Sequence, residues 1–428
     1  MALAPISSAQ RLRAIDIARG AALLGILLVN VRFFFAPLGF AMESTLALDG
    51  SLRSGADAVV WMFVEIFCTF KFVSLFSLLF GFGLAMQAAR AAAEGQSRWP
   101  AASRRLGLLA LVGILHWSLL WYGDILMLYA LIGIFAVASV GLSQRALFWV
   151  IVGVAAWVAV TVFAAGALLT LELTFVAKDP LPDVAASELT ERGFSAIRAA
   201  RFDPSNAAWI EAEIAAFAEG PFHDALVFRC WLYTYSFIAA IFSYGWHSLL
   251  MMLCGVYAFK ARLFTTEGAS FRRRIAVPGL VIGLALSLGS TLPSLLLGFD
   301  NFFAQIANLS LTSLSAMVLP FAYAAIIVQW GPRLPSLIAT PLERAGRMSF
   351  TVYLCESLLC TALASWWGFA WFGKVDDVQA TMIAVAVWFT LVLFATAWLS
   401  VFRIGPLEWF WRLATYVGNT GGSRSNPA

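Results

Sequence analysis

Long apolar runs separated by short polar breaks set the pattern of this chain. Runs of near-bilayer length fall at about 17–36, 58–86, 104–122, 125–142, 146–172, 241–260, 274–298, 311–330, 348–369 and 379–402. At about 1.5 Å per residue, each helix crosses most or all of a hydrocarbon layer about 30 Å thick. The expectation is an all-α polytopic transmembrane bundle of about ten spans occupying residues 1–402. Residues 403–428 follow as an amphipathic segment and a flexible polar tail. No clean internal repeat divides the bundle.

Positive charge orients these spans. Arg11, Arg13, Arg90, Arg98, Arg104, Arg105 and Arg145 flank the early runs, and Lys260, Arg262, Arg272, Arg273 and Arg274 make the strongest basic loop. Arg333, Arg344, Arg347, Arg403 and Arg412 continue the series. With ten alternating spans they share one side, which places both termini in the cytoplasm. Residues 221–240 are also apolar enough to cross, and counting them separately gives eleven spans. The charge pattern favours a lateral helix there, or the outer part of one long bent helix. The polar insertion at 173–225 is acidic, which suits the outer side. Within it, SNAAWIEAEIAAF has the cap and periodicity of a short surface helix, and the insertion either covers an outward-facing cavity or is an ordinary connecting loop.

Composition agrees. Of 428 residues, 61% are hydrophobic and 12% charged, about half the charged share of a soluble domain. The net charge of +4 follows topology and anionic lipid, with no aromatic–basic interleaving to suggest nucleic acid. Membrane lipids are the expected surroundings, and a homodimer is compatible with the sequence. The five cysteines lie in apolar runs without a CxxC, so they read as small hydrophobes. With three histidines in the chain, no metal centre is expected.

Polar groups inside apolar runs carry the candidate chemistry, because a charge at that depth needs a partner or a task. His116 and Asp124 bracket the short YGD turn in GILHWSLLWYGDILMLYALIG. The turn can bring the carboxylate back toward the imidazole, so that Asp124 orients a ring that serves as general base, binds a ligand or ion, or is simply a satisfied buried histidine. Tyr122 and Tyr129 add hydroxyls nearby. Asp16 and Arg19 share a helix face three residues apart, with Asp16 in the first turn. They form an inner-face ion pair or the mouth of a pocket, and Gly20 admits a neighbouring helix. Asn30 lies further along the same helix. Glu65 and Lys71 each call for a partner on another helix. Glu356 sits mid-span one turn beyond Tyr353, either in a cavity or paired with Lys71. Arg19, Arg104 and Arg105 are candidates for holding phosphate. His223, Arg229 and His247 are weaker candidates. Glu408 and Arg412, four apart in GPLEWFWR, mark a membrane-surface helix.

These segments together resemble the YeiB-like family of bacterial membrane proteins, also called domain-of-unknown-function family 418. The resemblance rests on AIDIARGAALLGILLVN, KFVSLFSLLFGFG, LVGILHWSLLWYGDILMLYALIG, MLCGVYAFK, GRMSFTVYLCESLLC and FRIGPLEWFWRLATY. Its core residues are Asp16, Arg19, Gly20, His116, Gly123, Asp124 and the Gly405–Trp409 stretch. Similar proteins carry glutamine where this chain has Glu356. The resemblance implies a wider kinship with transmembrane acyltransferases, including the type that acetylates terminal glucosamine. Such enzymes move an acyl group from acyl-CoA on one side to a sugar or other small acceptor on the other. Acetyl-CoA is then the expected co-substrate and a hydroxyl or amine the acceptor. Two alternatives compete: a transporter for a small solute, and a non-enzymatic scaffold whose buried charges lock helices together.

Overall fold

The computed structural model describes residues 13–42, 46–171, 193–242, 244–298 and 301–416. These fold into helices throughout, and a single bridge between Leu46 and Leu52 is the one strand-like pairing among the described residues. Each of the ten expected runs falls on helix. Among the described residues, six segments are long and apolar enough to cross a membrane, Arg13–Phe35, Gly55–Ala93, Gln144–Gly166, Ala269–Leu297, Phe302–Arg333 and Asp377–Val401, or seven if the bent pair within 222–260 counts as one span. Part of the insertion (173–192) and the tail beyond Tyr416 lie outside the described residues.

The first half builds most of the wall of the cavity described below. Helix α1 (Arg13–Phe35) leads through α2 (Leu38–Met42) to α3 (Gly55–Phe67) and α4 (Lys71–Ala93). The expected single span at 58–86 is broken at residues 68–70. Phe70 turns the chain with a left-handed φ of 61°, and nothing in its sequence, glycine least of all, advertises that bend. Helices α5 (Trp99–Leu119), α6 (Leu126–Ser139) and α7 (Gln144–Leu171) follow, and α6 is shorter than its apolar run suggests.

The insertion carries α8 (Phe194–Ala199) and α9 (Ala207–Ile214). The Asn206 side chain caps α9 by accepting from the Ala208 amide, as its spacing predicts. Glu213 joins this cap to α2: its carboxylate accepts the Leu38 amide and, at 2.9 Å, the Trp209 indole N–H. Full burial pushes the Glu213 carboxyl up to about 8, against those hydrogen bonds.

Residues 221–240 belong to α10 (Phe222–Phe242), which meets α11 (Tyr244–Lys260) at a bend of 58°. Together the two pass as one span broken at the bend. The remaining helices are α12 (Ala269–Leu297), α13 (Phe302–Trp330), α14 (Ser336–Arg347), α15 (Ser349–Ala364), α16 (Asp377–Val401) and α17 (Pro406–Tyr416). The short α14 lay between expected spans. It packs against α1 through glycines on both sides. A Cβ on Gly20 would stand 2.0 Å from the Leu342 carbonyl oxygen, and one on Gly346 would stand 1.8 Å from that of Asp16. Small residues at such crossings let backbones approach where lipid supplies no hydrophobic drive. Amphipathic α17 is fastened by Glu408, which accepts from the Phe350 and Thr351 amides and the Thr351 hydroxyl. A carboxylate there offsets the unpaired donors at the start of α15.

Candidate functional site

A cavity of about 860 Å³ runs through the bundle. Its wall takes Asp16, Arg19, Leu23, Ile26, Asn30 and Phe33 from α1, a stripe spaced alternately three and four residues apart on one helix face. From Asp16 to Phe33 that stripe is about 25 Å long, close to the thickness of a hydrocarbon core.

One end of the cavity is basic. Arg19, Arg90, Arg105, Arg347 and Arg412 all line it. The start of α1, the end of α4 and the start of α5 meet there: Arg105 donates to Gln87 at 3.3 Å, and Gly346 abuts the Asp16 backbone. Arg19 is paired with Asp16 at 3.1 Å, so the expected ion pair and the expected pocket mouth are the same feature. Arg104 is exposed and off the wall. Successive residues point in different directions around a helix, so Arg105 turns inward and Arg104 outward.

At the far end stands the pair bracketing the YGD turn. The His116 Nδ1–H donates to Asp124 Oδ1 at 2.9 Å, and Asp124 Oδ2 accepts the Met127 amide at 2.9 Å. Both side chains are buried. The second contact fixes the carboxylate at the start of α6, so its free oxygen can face only the ring. That assignment leaves His116 Nε2 as the bare nitrogen, and it has no hydrogen-bond partner among the described residues. His116 itself stands one residue behind the cavity wall. Its neighbours Asp124, Trp121 and Tyr353 are on the wall, with the Tyr353 ring centroid 5.3 Å from the imidazole. The Trp121 indole donates to the Phe33 carbonyl at 3.1 Å and stacks on Phe34, which ties the end of α5 to the end of α1.

Asn30, Glu65, Tyr122 and Tyr353 also line the cavity. Glu65 finds its partner on α1, pairing with Arg32 at 3.2 Å. Arg32 in turn approaches Asp377, which holds Arg53 at 3.4 Å. Lys71, at the start of α4, meets the neighbouring α3 through a backbone carbonyl rather than a carboxylate. It is fully buried and folds back across the 68–70 break to donate to the Glu65 carbonyl at 2.6 Å. The alternative pairing of Lys71 with Glu356 is therefore not formed. Glu356 is buried off the cavity wall, and its Oε1 has no partner among the described residues. Arg229 is buried, with Nε donating to the Ser118 carbonyl. His247 gains weight by position, since it lines the cavity and its Nε2 lies 2.7 Å from Ser74 Oγ.

Sequence reasoning singles out neither Arg32, Trp121 nor Ser74, and takes Arg90 only as an orienting charge and His247 only as a weaker candidate. Arg32 and Arg90 were visible as charges at run ends, whereas Ser74–His247 joins residues 173 positions apart and left no local signal.

The family described as "Protein of unknown function (DUF418)" matches residues 258–418. Across nearly the whole chain, the protein is similar to the uncharacterized protein YxaH of Bacillus subtilis strain 168. The two are 29% identical over 431 residues, covering 97% of this chain and 96% of YxaH. It is also similar to the uncharacterized protein YeiB of Escherichia coli K12, at 30% identity over 412 residues, covering 94% of this chain and 95% of YeiB. An uncharacterized 39.9 kDa protein encoded in the amylase 3′ region of Bacillus acidopullulyticus is 25% identical over 414 residues. With that identity sustained from end to end, and helices of membrane-crossing length beneath it, the chain belongs to the DUF418 family of YeiB-like proteins.

Proposed function

We propose that this protein is a transmembrane acyltransferase that moves an acyl group, acetyl in the simplest case, from acyl-CoA to a hydroxyl or amine acceptor. One observation carries the proposal: a single cavity about as long as a bilayer is thick joins a cluster of arginines to Asp124, whose imidazole partner, with a bare ring nitrogen, stands just behind the wall. The arginine end suits the phosphates of CoA, for which planar guanidinium groups are well matched. On this reading the basic end is cytoplasmic, both termini lie there, the chain makes about ten spans, and the protein resides in the bacterial inner membrane.

The chemistry balances without a covalent enzyme intermediate. Acceptor O–H or N–H gives its proton to His116 Nε2 while the acceptor atom attacks the thioester carbonyl. The tetrahedral intermediate collapses, the carbon–sulfur bond breaks, and the CoA thiolate takes the proton back from His116. Asp124 fixes the tautomer and stabilises the transient imidazolium. His116 stands behind the wall formed by Tyr353, Trp121 and Asp124, so wall side chains must swing for the acceptor to reach Nε2.

The length of the cavity also suits a transport path for a small solute. Proteoliposomes loaded with labelled acetyl-CoA distinguish the two. Acyl transfer releases free CoA and places the label in a new ester or amide. Transport carries the label across unchanged, and neither result is expected if the buried charges only lock helices.

A further inference from the structure

Among the described residues, α10 and α13 do not pack extensively on one another at the far end of the cavity. Helix α10 packs mainly on α5 and α11, whereas α13 packs mainly on α12 and α4. Yet both contribute wall: Tyr235 and Ser236 from α10, and Asn308, Thr312 and Ser313 from α13. Asn308 lies 22 residues before Trp330 on α13, about 33 Å along the helix. Gly331, just beyond Trp330, sits against Ile17 near the basic end, so Asn308 is at the far level.

The chemistry of this gap changes from outside to inside. Tyr235, on the cavity wall, is 48% exposed. The outward surfaces of the same two helices are apolar, with Ile238 and Ile241 on α10 and Phe303 and Leu314 on α13 all exposed. Inside, the groups are amides and hydroxyls, and none of these five gap residues carries a charge. Thr312 is 95% buried, lines the cavity, and its hydroxyl has no hydrogen-bond partner among the described residues. A buried hydroxyl without a partner costs free energy until a ligand supplies one.

We infer that this gap is a lateral portal, and that the acceptor is a lipid-anchored molecule with an uncharged, hydroxyl-bearing headgroup. Its chains stay among the apolar outer faces while the headgroup passes Ser236 and Ser313 to reach Thr312 and the His116 end. A freely dissolved sugar would gain nothing from the apolar rim, and a charged headgroup would meet no counter-charge in the gap. The inference about the acceptor rests on the acyl-transfer reading, whereas the portal itself does not.

Two readouts test it on full-length protein in nanodiscs. In the first, a bimane fluorophore is attached at Thr312→Cys in a background whose five native cysteines are replaced, with folding checked by size exclusion. Lipid carrying a nitroxide near the headgroup should quench it, and Ser236→Trp should relieve that quenching. Quenching by aqueous iodide with none from the nitroxide lipid would overturn the portal. In the second, radiolabelled acetyl-CoA is supplied with bacterial membrane lipid extract and with water-soluble sugars. Label should appear in the organic phase and fall at least tenfold in Ser236→Trp. Label solely in a water-soluble product would overturn the lipid acceptor. No turnover with either acceptor would count against acyl transfer, and fluorophore quenching would still decide whether the portal exists.

Discussion

Asp124→Asn separates the proposed chemistry from folding. Asp124 accepts two N–H groups, one from the His116 ring and one from the Met127 backbone, each at 2.9 Å. Asparagine has one carbonyl oxygen and one NH₂ to offer in the same place. The Met127 amide cannot surrender its hydrogen, so the carbonyl stays with it and the NH₂ turns to His116. The ring then accepts at Nδ1 and its proton moves to Nε2. The bare nitrogen is lost although the side chains barely move. Loss of a general base of this kind lowers kcat by about 10²–10⁴, or about 2.7–5.5 kcal/mol of transition-state stabilisation. The stability cost is the loss of one charge-assisted bond, about 1.5–3 kcal/mol. CoA release from acetyl-CoA, followed with a thiol reagent in nanodiscs, measures the first quantity, and thermal unfolding in detergent measures the second. Asp124→Asn combined with His116→Ala should be no slower than His116→Ala alone, because the two residues act as one unit. A folded Asp124→Asn protein with unchanged kcat would refute the reasoning.

Other consequences follow from the same geometry. Arg19→Gln and Arg105→Gln should each weaken CoA binding about 10- to 100-fold, the worth of a charge-assisted hydrogen bond of about 1.5–3 kcal/mol. Arg104→Gln, on the outer face of the same helix, should leave binding unchanged in the same titration. Gly346→Ala should destabilise the bundle by about 1–3 kcal/mol or more, because the added carbon meets the Asp16 carbonyl backbone rather than a movable side chain; a melting temperature equal to wild type would contradict the packing. The raised pKa of Glu213 stabilises the cap when the carboxyl is protonated. That stabilisation is complete below its ordinary value of 4.5 and is lost as pH rises through about 8. Hydrogen-exchange protection of α9, corrected for intrinsic rates, should therefore fall over that window, and Glu213→Gln should flatten the dependence.

What the sequence made legible was local or periodic. Asp16 and Arg19 are three apart on one helix, and their ion pair could be written from spacing alone. His116 and Asp124 are joined by a turn too short to take them far apart. Asn206 caps α9 as its position ahead of an apolar period suggests. Partners distant in the chain were less accessible. Arg32–Glu65, Ser74–His247 and the Glu408 cap on α15 join residues 33, 173 and 57 or 58 positions apart. Periodicity, which would normally name the inward face, is weak in these helices because lipid and core are both apolar. Lys71 shows the consequence. Depth alone argued for a distant carboxylate, but a break at Phe70 let the ammonium satisfy itself on a carbonyl six residues back. The break also explains why the 58–86 run, continuous in hydropathy, is two helices.

The central claim is that His116 removes a proton while an acyl group leaves CoA. Single-turnover release of CoA from acetyl-CoA by wild type and by His116→Gln, both shown to be folded in nanodiscs and supplied with membrane lipid extract, tests it most directly. The account predicts a burst of CoA matched by a new acylated product in wild type, and neither in His116→Gln. Equal release by both proteins, or intact acetyl-CoA recovered from both, would contradict it.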